Sequence, residues 1–500
     1  MIKKLLIVFY LLGITKMEAQ YAASNFTLCS VINPQTTTNS HGAKYSGCWG
    51  WYQANKNREY AIAGSASGTY FVDVTNPYMQ VICDFEPGKI TTTVWREIKS
   101  YQNYCYVVSD DGGANSFQIF DMQYLPDSVH KVYDSQALFR RTHAIWIDGN
   151  KLYCSSVTYS NNSYSTLDIY SLATPTAPTL IRKLNQDAPF ITQVHDTYAN
   201  NDTVFVSAAY QGLYTFTLTP PSYSFTQVGS LTSYPFSGYN HASAITPNKK
   251  TLVMMDEVPA SLPIKIIDVQ NLSNMQVLST INQTSLTTPH NPFMANDSLC
   301  FASSYNDGIQ LFNIKNPSSP FLAAYFDTYP QNGANTGTYT SHYAGQWGAY
   351  PWLPSKNIFA LDRQNGMFML KTHMWKNPDV PSTEGGLGTG SSGVSTHTGN
   401  VSTVGIKENA YNNAIQFYPN PVSTKVRMNV PLEFLNQSLT IQILDINGKV
   451  VLTEQHHNEK DLVNIYYKEI DLSTLQNGVY FAKVVHQKTV IKNTKLVVSK

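Results

Sequence analysis

The sequence is short of charge, and neither sign prevails. Lys and Arg together number 34 and Asp and Glu 33 among 500 residues, which gives a formal net charge of +1. Nucleic acid and anionic membranes therefore have no compositional support as partners. Apart from the first twenty residues, no apolar run approaches the length of a membrane span. The sequence also lacks a GxSxG elbow, a P-loop and an HExxH motif, so no motif specifies a catalytic class.

Cysteine is scarce, and its spacing argues against a thiolate metal site. The six cysteines include no CxxC pair, which leaves zinc-ribbon or thioredoxin-type chemistry without support. Cys105, Cys154 and Cys300 lie in apolar runs and are predicted to be small core residues. Cys29 and Cys48 are candidates for a disulfide in an oxidising compartment.

Aromatic residues, in contrast, are abundant. The chain has 33 Tyr, 22 Phe and 7 Trp, and 42% of its residues are hydrophobic. That is enough apolar material for a large core. Tyr, Phe and Trp, together with many Thr and Val, favour strands over helices, so we expect an all-β protein. The length suggests two or three domains.

The N-terminus has the pattern of a secretory signal peptide, residues 1–19. Lys3 and Lys4 precede an apolar run over residues 5–14, and Met17-Glu18-Ala19 forms the expected cleavage site. The apolar run is too short to cross a bilayer, so we expect an exported mature chain without a transmembrane segment.

The composition changes near residue 376. Residues 376–412 are rich in Gly, Ser and Thr, which is typical of a flexible linker. In residues 413–500 the alternation of hydrophobic and polar residues returns, with a turn signal at residues 445–448. This pattern predicts a small antiparallel β-sandwich as a second domain.

The C-terminal segment also resembles a known family. The motifs FYPNPV, ILDINGKVV, IDLSTLQNGVYFAKV and TKLVVSK occur in order and look like the type A C-terminal sorting domain of the Bacteroidetes type IX secretion system. The resemblance implies that residues 413–500 engage the type IX secretion machinery. It also implies that the protein is secreted or held at the outer cell surface. An ordinary β-sandwich binding module is the alternative.

Residues 25–375 contain a weak repeat. An apolar-polar-apolar strand recurs seven times, for example at residues 70–74 and 117–121. A marker residue precedes each of these strands, at intervals of 46 to 57 residues: Trp49, Trp95, His143, His195, His241, His290 and Trp347. Such a period is typical of one four-stranded blade, so the segment is predicted to be a seven-bladed β-propeller. Residues 25–32 form an orphan strand that we expect to complete the last blade.

This segment resembles the choice-of-anchor B family of LVIVD-repeat propellers. The matching stretches include Trp49-Gly50-Trp51, Trp95-Arg96-Glu97-Ile98, Gly238-Tyr239-Asn240-His241 and Gly345-Gln346-Trp347-Gly348. The resemblance implies a propeller joined to one of several kinds of surface anchor. It implies no particular activity.

The markers predict a site on the propeller axis, because the first strand of each blade lines the central channel. The candidate residues are the repeated histidines and the carboxylates near the markers: His143, His195, His241, His290, Glu97, Asp196, Asp256 and Glu257. Such groups can bind a divalent metal or transfer protons. A structural ring that holds the blades in register is the favoured alternative, because no HxH or HxxxH spacing forces ligands together.

Three functional classes fit the sequence. The first is a secreted or surface propeller that binds an extracellular protein or glycan. The second is a hydrolase or lyase that uses the axial histidines and carboxylates, and the third is a structural component of an adhesin. Binding is favoured because the sequence specifies no catalytic set. A funnel with converging carboxylates would favour the enzyme, and a flat aromatic face would favour the other two.

Overall fold

The computed structural model describes residues 21–111, 113, 115–282, 287–330, 343–376, 415, 417–418, 420–429, 438–446, 448–456, 467–487 and 489–500. The predicted signal peptide and nearly all of the predicted linker lie outside these residues. The described chain forms two compact units, one ending at residue 376 and the other beginning at residue 415. Across the described residues, we find no helix with the length and hydropathy of a membrane span.

The first unit is a seven-bladed β-propeller, as predicted. Each blade is a sheet of four antiparallel strands in which chain neighbours pair. Blade 1 consists of β3 (Tyr45–Gln53), β4 (Arg58–Ser65), β5 (Gly68–Asp73) and β6 (Val81–Pro87). Blade 2 consists of β7 (Arg96–Tyr101), β8 (Tyr104–Ser109), β9 (Phe117–Asp121) and β10 (His130–Ser135). Blade 3 consists of β11 (Ala144–Asp148), β12 (Lys151–Thr158), β13 (Tyr164–Ser171) and β14 (Thr179–Lys183). Blade 4 consists of β15 (Asp196–Asn200), β16 (Thr203–Ser207), β17 (Leu213–Thr219) and β18 (Ser224–Leu231).

The remaining blades continue the same order around the axis. Blade 5 consists of β19 (Asn240–Ile245), β20 (Thr251–Asp256), β21 (Ile264–Asp268) and β22 (Gln276–Ile281). Blade 6 consists of β23 (Pro292–Met294), β24 (Leu299–Ser303), β25 (Ile309–Asn313) and β26 (Phe321–Phe326). Blade 7 supplies β27 (Gln346–Tyr350), β28 (Ile358–Asp362) and β29 (Gly366–Lys371). Contacts between β27 and β3 close the ring.

The N-terminal strands complete the last two blades. The strand β2 (Thr27–Ile32) pairs antiparallel with β29 and becomes the fourth strand of blade 7. This confirms the prediction for residues 25–32. The short strand β1 (Ala23–Ser24) pairs with β26 and gives blade 6 a fifth strand. The chain start therefore bridges two blades and covers edges that would otherwise be open.

The middle strands of each blade are buried on both faces, because neighbouring blades pack against them. Tyr60, Ala61, Ile62 and Ala63 of β4 are all fully buried, which explains why these strands read as continuous apolar runs. Cys105, Cys154 and Cys300 are core residues, as predicted. Cys29 and Cys48 are free thiols that pack in the apolar cluster between blades 1 and 7.

The second unit consists of two antiparallel sheets around one apolar core. The smaller sheet contains β30 (Phe417–Tyr418), β31 (Lys425–Asn429) and β34 (Tyr467–Asp471). The larger contains β32 (Leu439–Leu444), β33 (Val450–His456), β35 (Gly478–His486) and β36 (Thr489–Val498). Inward residues of both sheets, such as Val426, Ile441 and Val484, are buried together. The arrangement agrees with the predicted C-terminal β-sandwich.

Candidate functional site

A funnel of about 780 Å³ lies at one end of the propeller channel. Its deep part is formed by buried side chains at the start of the innermost strands, including His241 and Trp347. Its mouth is formed by residues in loops and at strand ends, among which Tyr210 is 71% and Tyr164 48% exposed. The funnel therefore narrows from an aromatic mouth to a floor of imidazole and indole rings.

The histidines reach the floor because they occupy equivalent positions, relative to the second strand, in successive blades. The backbone N–H of His143 donates to the carbonyl of Ser155, that of His195 to Ser207 and that of His290 to Ser303, at 2.8 to 3.0 Å. In each case the acceptor lies on the second strand of the same blade. Equal registers give equal heights along the axis, so the repeat brings these side chains together.

The rings form a continuous arc around the axis. Neighbouring ring centroids lie 4.2 Å apart for His143 and His195, 4.0 Å for His195 and His241, and 4.5 Å for His241 and His290. The arc continues from His290 to Trp347 at 4.1 Å and from Trp347 to Trp95 at 4.9 Å. Blades 2 to 7 thus each contribute one marker residue.

Trp49 does not belong to this arc, which corrects the predicted register of blade 1. Its ring lies at a lower level, 6.1 Å from the ring of Trp146, a residue three positions beyond His143. A β-bulge between Tyr45 and Cys48 shifts the strand, and Ser46-Gly47 occupies the marker level instead. A Cβ on Gly47 would lie 2.2 Å from the carbonyl oxygen of Arg96. Glycine therefore allows blades 1 and 2 to approach closely at that point.

Below the arc, the channel is nearly filled. The Nζ atom of Lys99 lies 4.5 Å from the centre of the Trp49 ring and 5.9 Å from that of Trp146. Between this cluster and the histidines lies a void of only about 10 Å³, roughly the space that one water requires. Within the described part of the propeller, the funnel is therefore a blind pocket with a single mouth.

Glu97 and Asp196 line the small void rather than the funnel. Each lies on its strand just beyond the marker residue, and the strands run away from the mouth. Glu97 pairs with Lys99 at 3.1 Å. Burial raises the pKa of Asp196 to about 6, with a further contribution from the negative charge of Glu97. These two predicted site residues are close to the histidines but on their far side.

Asp256 is excluded from the predicted site. Its carboxylate accepts a hydrogen bond from Lys265 Nζ at 2.8 Å, and neither side chain is exposed. It also accepts from Tyr234 and Asn240, each at 3.1 Å. Asp256 lies on β20 and points into the blade, whereas the next residue, Glu257, points into the funnel. The reason is that successive side chains of a strand alternate in direction.

Backbone carbonyls orient two of the imidazoles. The Nδ1 atom of His195 lies 3.2 Å from the carbonyl oxygen of His241, and that of His290 lies 2.7 Å from the carbonyl oxygen of Trp347. Since a carbonyl can only accept, both Nδ1 atoms carry the hydrogen. The Nε2 atoms of these neutral rings keep their lone pairs.

His143 differs from the other histidines in its charge. Its Nδ1 bonds the carboxylate of Asp110. Burial lowers the pKa of His143, but the charge and hydrogen bond of Asp110 outweigh burial and raise it to about 9. Burial lowers the pKa of His195 and His241 well below the usual value and that of His290 to about 3. At neutral pH the arc therefore holds one imidazolium beside three neutral imidazoles.

Asp110 is not among the residues that the sequence predicts for the site. It directly follows β8, just as Glu257 directly follows β20 and Arg363 directly follows β28. The guanidinium of Arg363 lies 4.8 Å from the ring centres of both Trp95 and Trp347. In blades 2, 5 and 7, the residue that follows the second strand thus lies near the axis, at the level of the marker residues. Aligning those positions across the repeats would have identified all three charges.

The funnel also contains a group with the composition of a metal site. One ligand atom each from His195, His241 and Glu257 lies within 4.8 Å of the others. The mouth residues Arg141, Gln193 and Tyr239 line the same cavity but come from loops whose sequences do not repeat. The periodicity of the sequence therefore could not predict that these three residues line the funnel.

Solved structures with a similar fold share little sequence with this chain. A protein from Lactobacillus plantarum is 12% identical, with a TM-score of 0.44 over 66% of this chain and 95% of its own. A putative 6-phosphogluconolactonase from Bacteroides uniformis is 13% identical, with a TM-score of 0.46 over 66% and 92%. YCF48 bound to D1 peptide is 9% identical, with a TM-score of 0.44 over 69% and 100%. No curated protein sequence matches the chain.

The C-terminal unit, in contrast, matches a sequence family. Residues 416–499 match the model of the secretion system C-terminal sorting domain. This range contains all seven strands of the second unit. The chain therefore carries, after its β-propeller, the C-terminal sorting domain of the type IX secretion system, which directs proteins to the cell surface or the extracellular space.

Proposed function

We propose that the protein is a glycan-binding propeller, and that a sugar unit of an extracellular glycan enters the axial funnel. The blind funnel is the observation that carries this proposal. A volume of about 780 Å³ is in the range of small-molecule pockets. A deep pocket with one mouth is poorly suited to the flat surfaces of most protein–protein interfaces. Glycan is therefore the better of the two ligand classes that the sequence left open.

The chemistry of the lining supports a saccharide. A sugar ring has an apolar C–H face and a rim of hydroxyl groups. Tyr164, Tyr210 and Tyr343 offer aromatic faces at the mouth, while Gln193 and Arg141 offer hydrogen-bond donors. Tyr210 is the most exposed of these rings. It packs edge-on against Tyr239 with ring centroids 5.1 Å apart, which holds it at the mouth.

We also propose a domain organisation for the whole chain. Residues 1–19 would act as the signal peptide, and residues 376–412 would link the propeller of residues 25–375 to the sorting domain of residues 413–500. We also propose membership of the choice-of-anchor B family for the propeller. The quoted motifs and the propeller fold support that assignment.

A hydrolase or lyase is the second candidate. It is favoured by the carboxylates of Asp110 and Glu257, which converge in the funnel as expected for an enzyme, and by the pairing of Asp110 with His143. Asp110 keeps His143 protonated, and His195 beside it is neutral. A proton donor next to a proton acceptor is the arrangement that general acid–base catalysis uses. Both groups line the funnel, so a bound glycan could reach them.

A glycan array tests the proposal. The mature protein should bind a defined subset of glycans, and Tyr210→Ala should weaken that binding about tenfold, as loss of an aromatic anchor does. Tyr124→Ala is the matched control, because Tyr124 is also exposed, at 41%, but does not line the funnel. Absence of glycan binding, or equal loss in both variants, would contradict the proposal. Release of a shortened glycan would favour the enzyme.

A further inference from the structure

We infer that the funnel floor binds one divalent transition-metal ion, with Zn²⁺ as the best fit, through His195, His241 and Glu257. The inference deepens the proposed function, on which it rests for the use of the ion. The existence of the site is argued from geometry alone and is tested without any glycan.

The three side chains converge from three different backbone positions. His195 precedes β15, His241 lies on β19, and Glu257 follows β20. Their ligand atoms lie within 4.8 Å of one another, and His241 Nε2 is 3.8 Å from Glu257 Oε2. The ligand atoms of a tetrahedral zinc lie about 3.3 Å apart, given bonds of about 2.0–2.1 Å. Small side-chain rotations would therefore bring the three atoms to bonding distance.

The imidazoles are in the form that binds a metal. His195 donates its Nδ1 hydrogen to the carbonyl of His241, which leaves Nε2 as the ligand atom. Metal-bound histidines commonly have such a partner on the other ring nitrogen. His241 is 2% exposed, so the protein holds its ring inside the floor.

The carboxylate is held in place in a similar way. Tyr305 donates its hydroxyl hydrogen to Glu257 Oε1 at 2.7 Å, while Oε2 is the atom nearest His241. Two positive charges lie near Glu257: His143, which is paired with Asp110, and Arg363. The three proposed ligands themselves carry the single negative charge of Glu257.

The ion would have a position open to the ligand. All three side chains line the funnel, and two histidines with one glutamate form a ligand set known from catalytic zinc sites, which leave the fourth position for water or substrate. A sugar hydroxyl or carboxylate oxygen entering the funnel could take that position.

Metal titration of the mature protein, purified without a His tag and stripped by a chelator, tests the inference. Calorimetry with ZnCl₂ and elemental analysis should show one ion per chain. Glu257→Gln and His241→Ala should weaken binding by about 100-fold or more, since each removes a direct ligand. His130→Ala is the control, because His130 is exposed and outside the funnel. A Co²⁺-loaded sample should show the absorption of a four- or five-coordinate ion.

The outcomes separate the two proposals. A wild-type protein that binds no Zn²⁺ at micromolar concentration, or variants that bind as wild type does, would overturn the metal site. Glu257→Gln is nearly isosteric, so it remains informative if His241→Ala fails to fold. One Zn²⁺ per chain in the titration, together with no binding on the glycan array, would contradict the proposed function and leave the metal site standing.

Discussion

At the scale of single residues, position within the blade decides the chemistry of each side chain. Asp110, Glu257 and Arg363 each follow the second strand of a blade. The first two line the funnel, and Arg363 lies buried against Trp95 and Trp347. Asp256 and Asp362 each end such a strand and are fully buried in their own blades. A shift of one residue therefore separates a carboxylate that lines the funnel from one buried in the blade, because side-chain direction alternates along a strand.

Asp362 should make stability depend on pH. Burial raises its pKa to about 7, whereas an unfolded Asp titrates near 3.9. Between these values the folded chain holds a proton that the unfolded chain has lost, so the free energy of unfolding falls as pH rises from about 4 to 7. The fall due to this group is about 4 kcal/mol at most. Asp362→Asn, which cannot ionise, should remove that part of the slope.

Denaturant unfolding at several pH values between 4 and 8 measures this difference. The hydrogen bonds to Asp362 come from Thr328 and from the backbone of Gln364 and Asn365, and an asparagine oxygen can accept the latter two. Asp127→Asn, at an exposed position, is the control. Parallel pH profiles for wild type and Asp362→Asn would show that Asp362 is already ionised in this range.

At the scale of elements, ring closure depends on a strand from the other end of the chain. β2 pairs with β29 from Leu28 opposite Leu370 to Ile32 opposite Met367. Its inward side chains pack on two clusters: Phe26 and Leu28 on the one between blades 6 and 7, and Cys29 and Ile32 on the one between blades 7 and 1. The strand thus supplies both the missing hydrogen bonds and part of the core.

Deleting residues 25–32 should lower the free energy of unfolding by several kcal/mol, because it uncovers β29 and removes packed side chains from two clusters. Thermal unfolding of the propeller measures the loss. Val31→Thr is the control, since Val31 is 37% exposed and its change should cost less than about 0.5 kcal/mol. An unchanged melting temperature after the deletion would mean that β2 contributes nothing to closure.

At the scale of the whole molecule, the two units have separate cores. The propeller has its own core between the blades, and the C-terminal unit has its own core between its sheets. Compact units with separate cores can generally fold independently. The binding site and the export signal should therefore be separable.

Removing residues 413–500 should leave a folded propeller that accumulates in the periplasm, since the matched sorting domain is then absent. Cell fractionation with antibodies against the propeller, beside a resident periplasmic protein as the marker, measures the distribution. The truncated propeller should melt at the temperature of the propeller in the full chain. Normal amounts of truncated protein outside the cell would show that export does not need this segment.

Much of the fold was determined by local sequence pattern. Seven apolar strands at a regular spacing predicted seven blades, and an unpaired strand at residues 25–32 predicted the closure. Both are found. Such patterns can be recognised in the sequence because every middle strand is buried between two blades and therefore consists mainly of apolar residues. The motifs of residues 413–500 likewise predicted the sorting domain, which the family match supports.

The site was only partly determined by the sequence. The repeat placed His143, His195, His241 and His290 at the axis, and the structure brings their rings together. Tertiary structure decided the rest. Trp49 lies further along its strand than the marker level, which Ser46 and Gly47 occupy in a β-bulge. Side-chain alternation points Asp256 into its blade, where it pairs with Lys265, and the chain just after β8 brings Asp110 to His143. The physical reason is that residue type and spacing identify a strand, but bulges and side-chain alternation decide where each side chain ends.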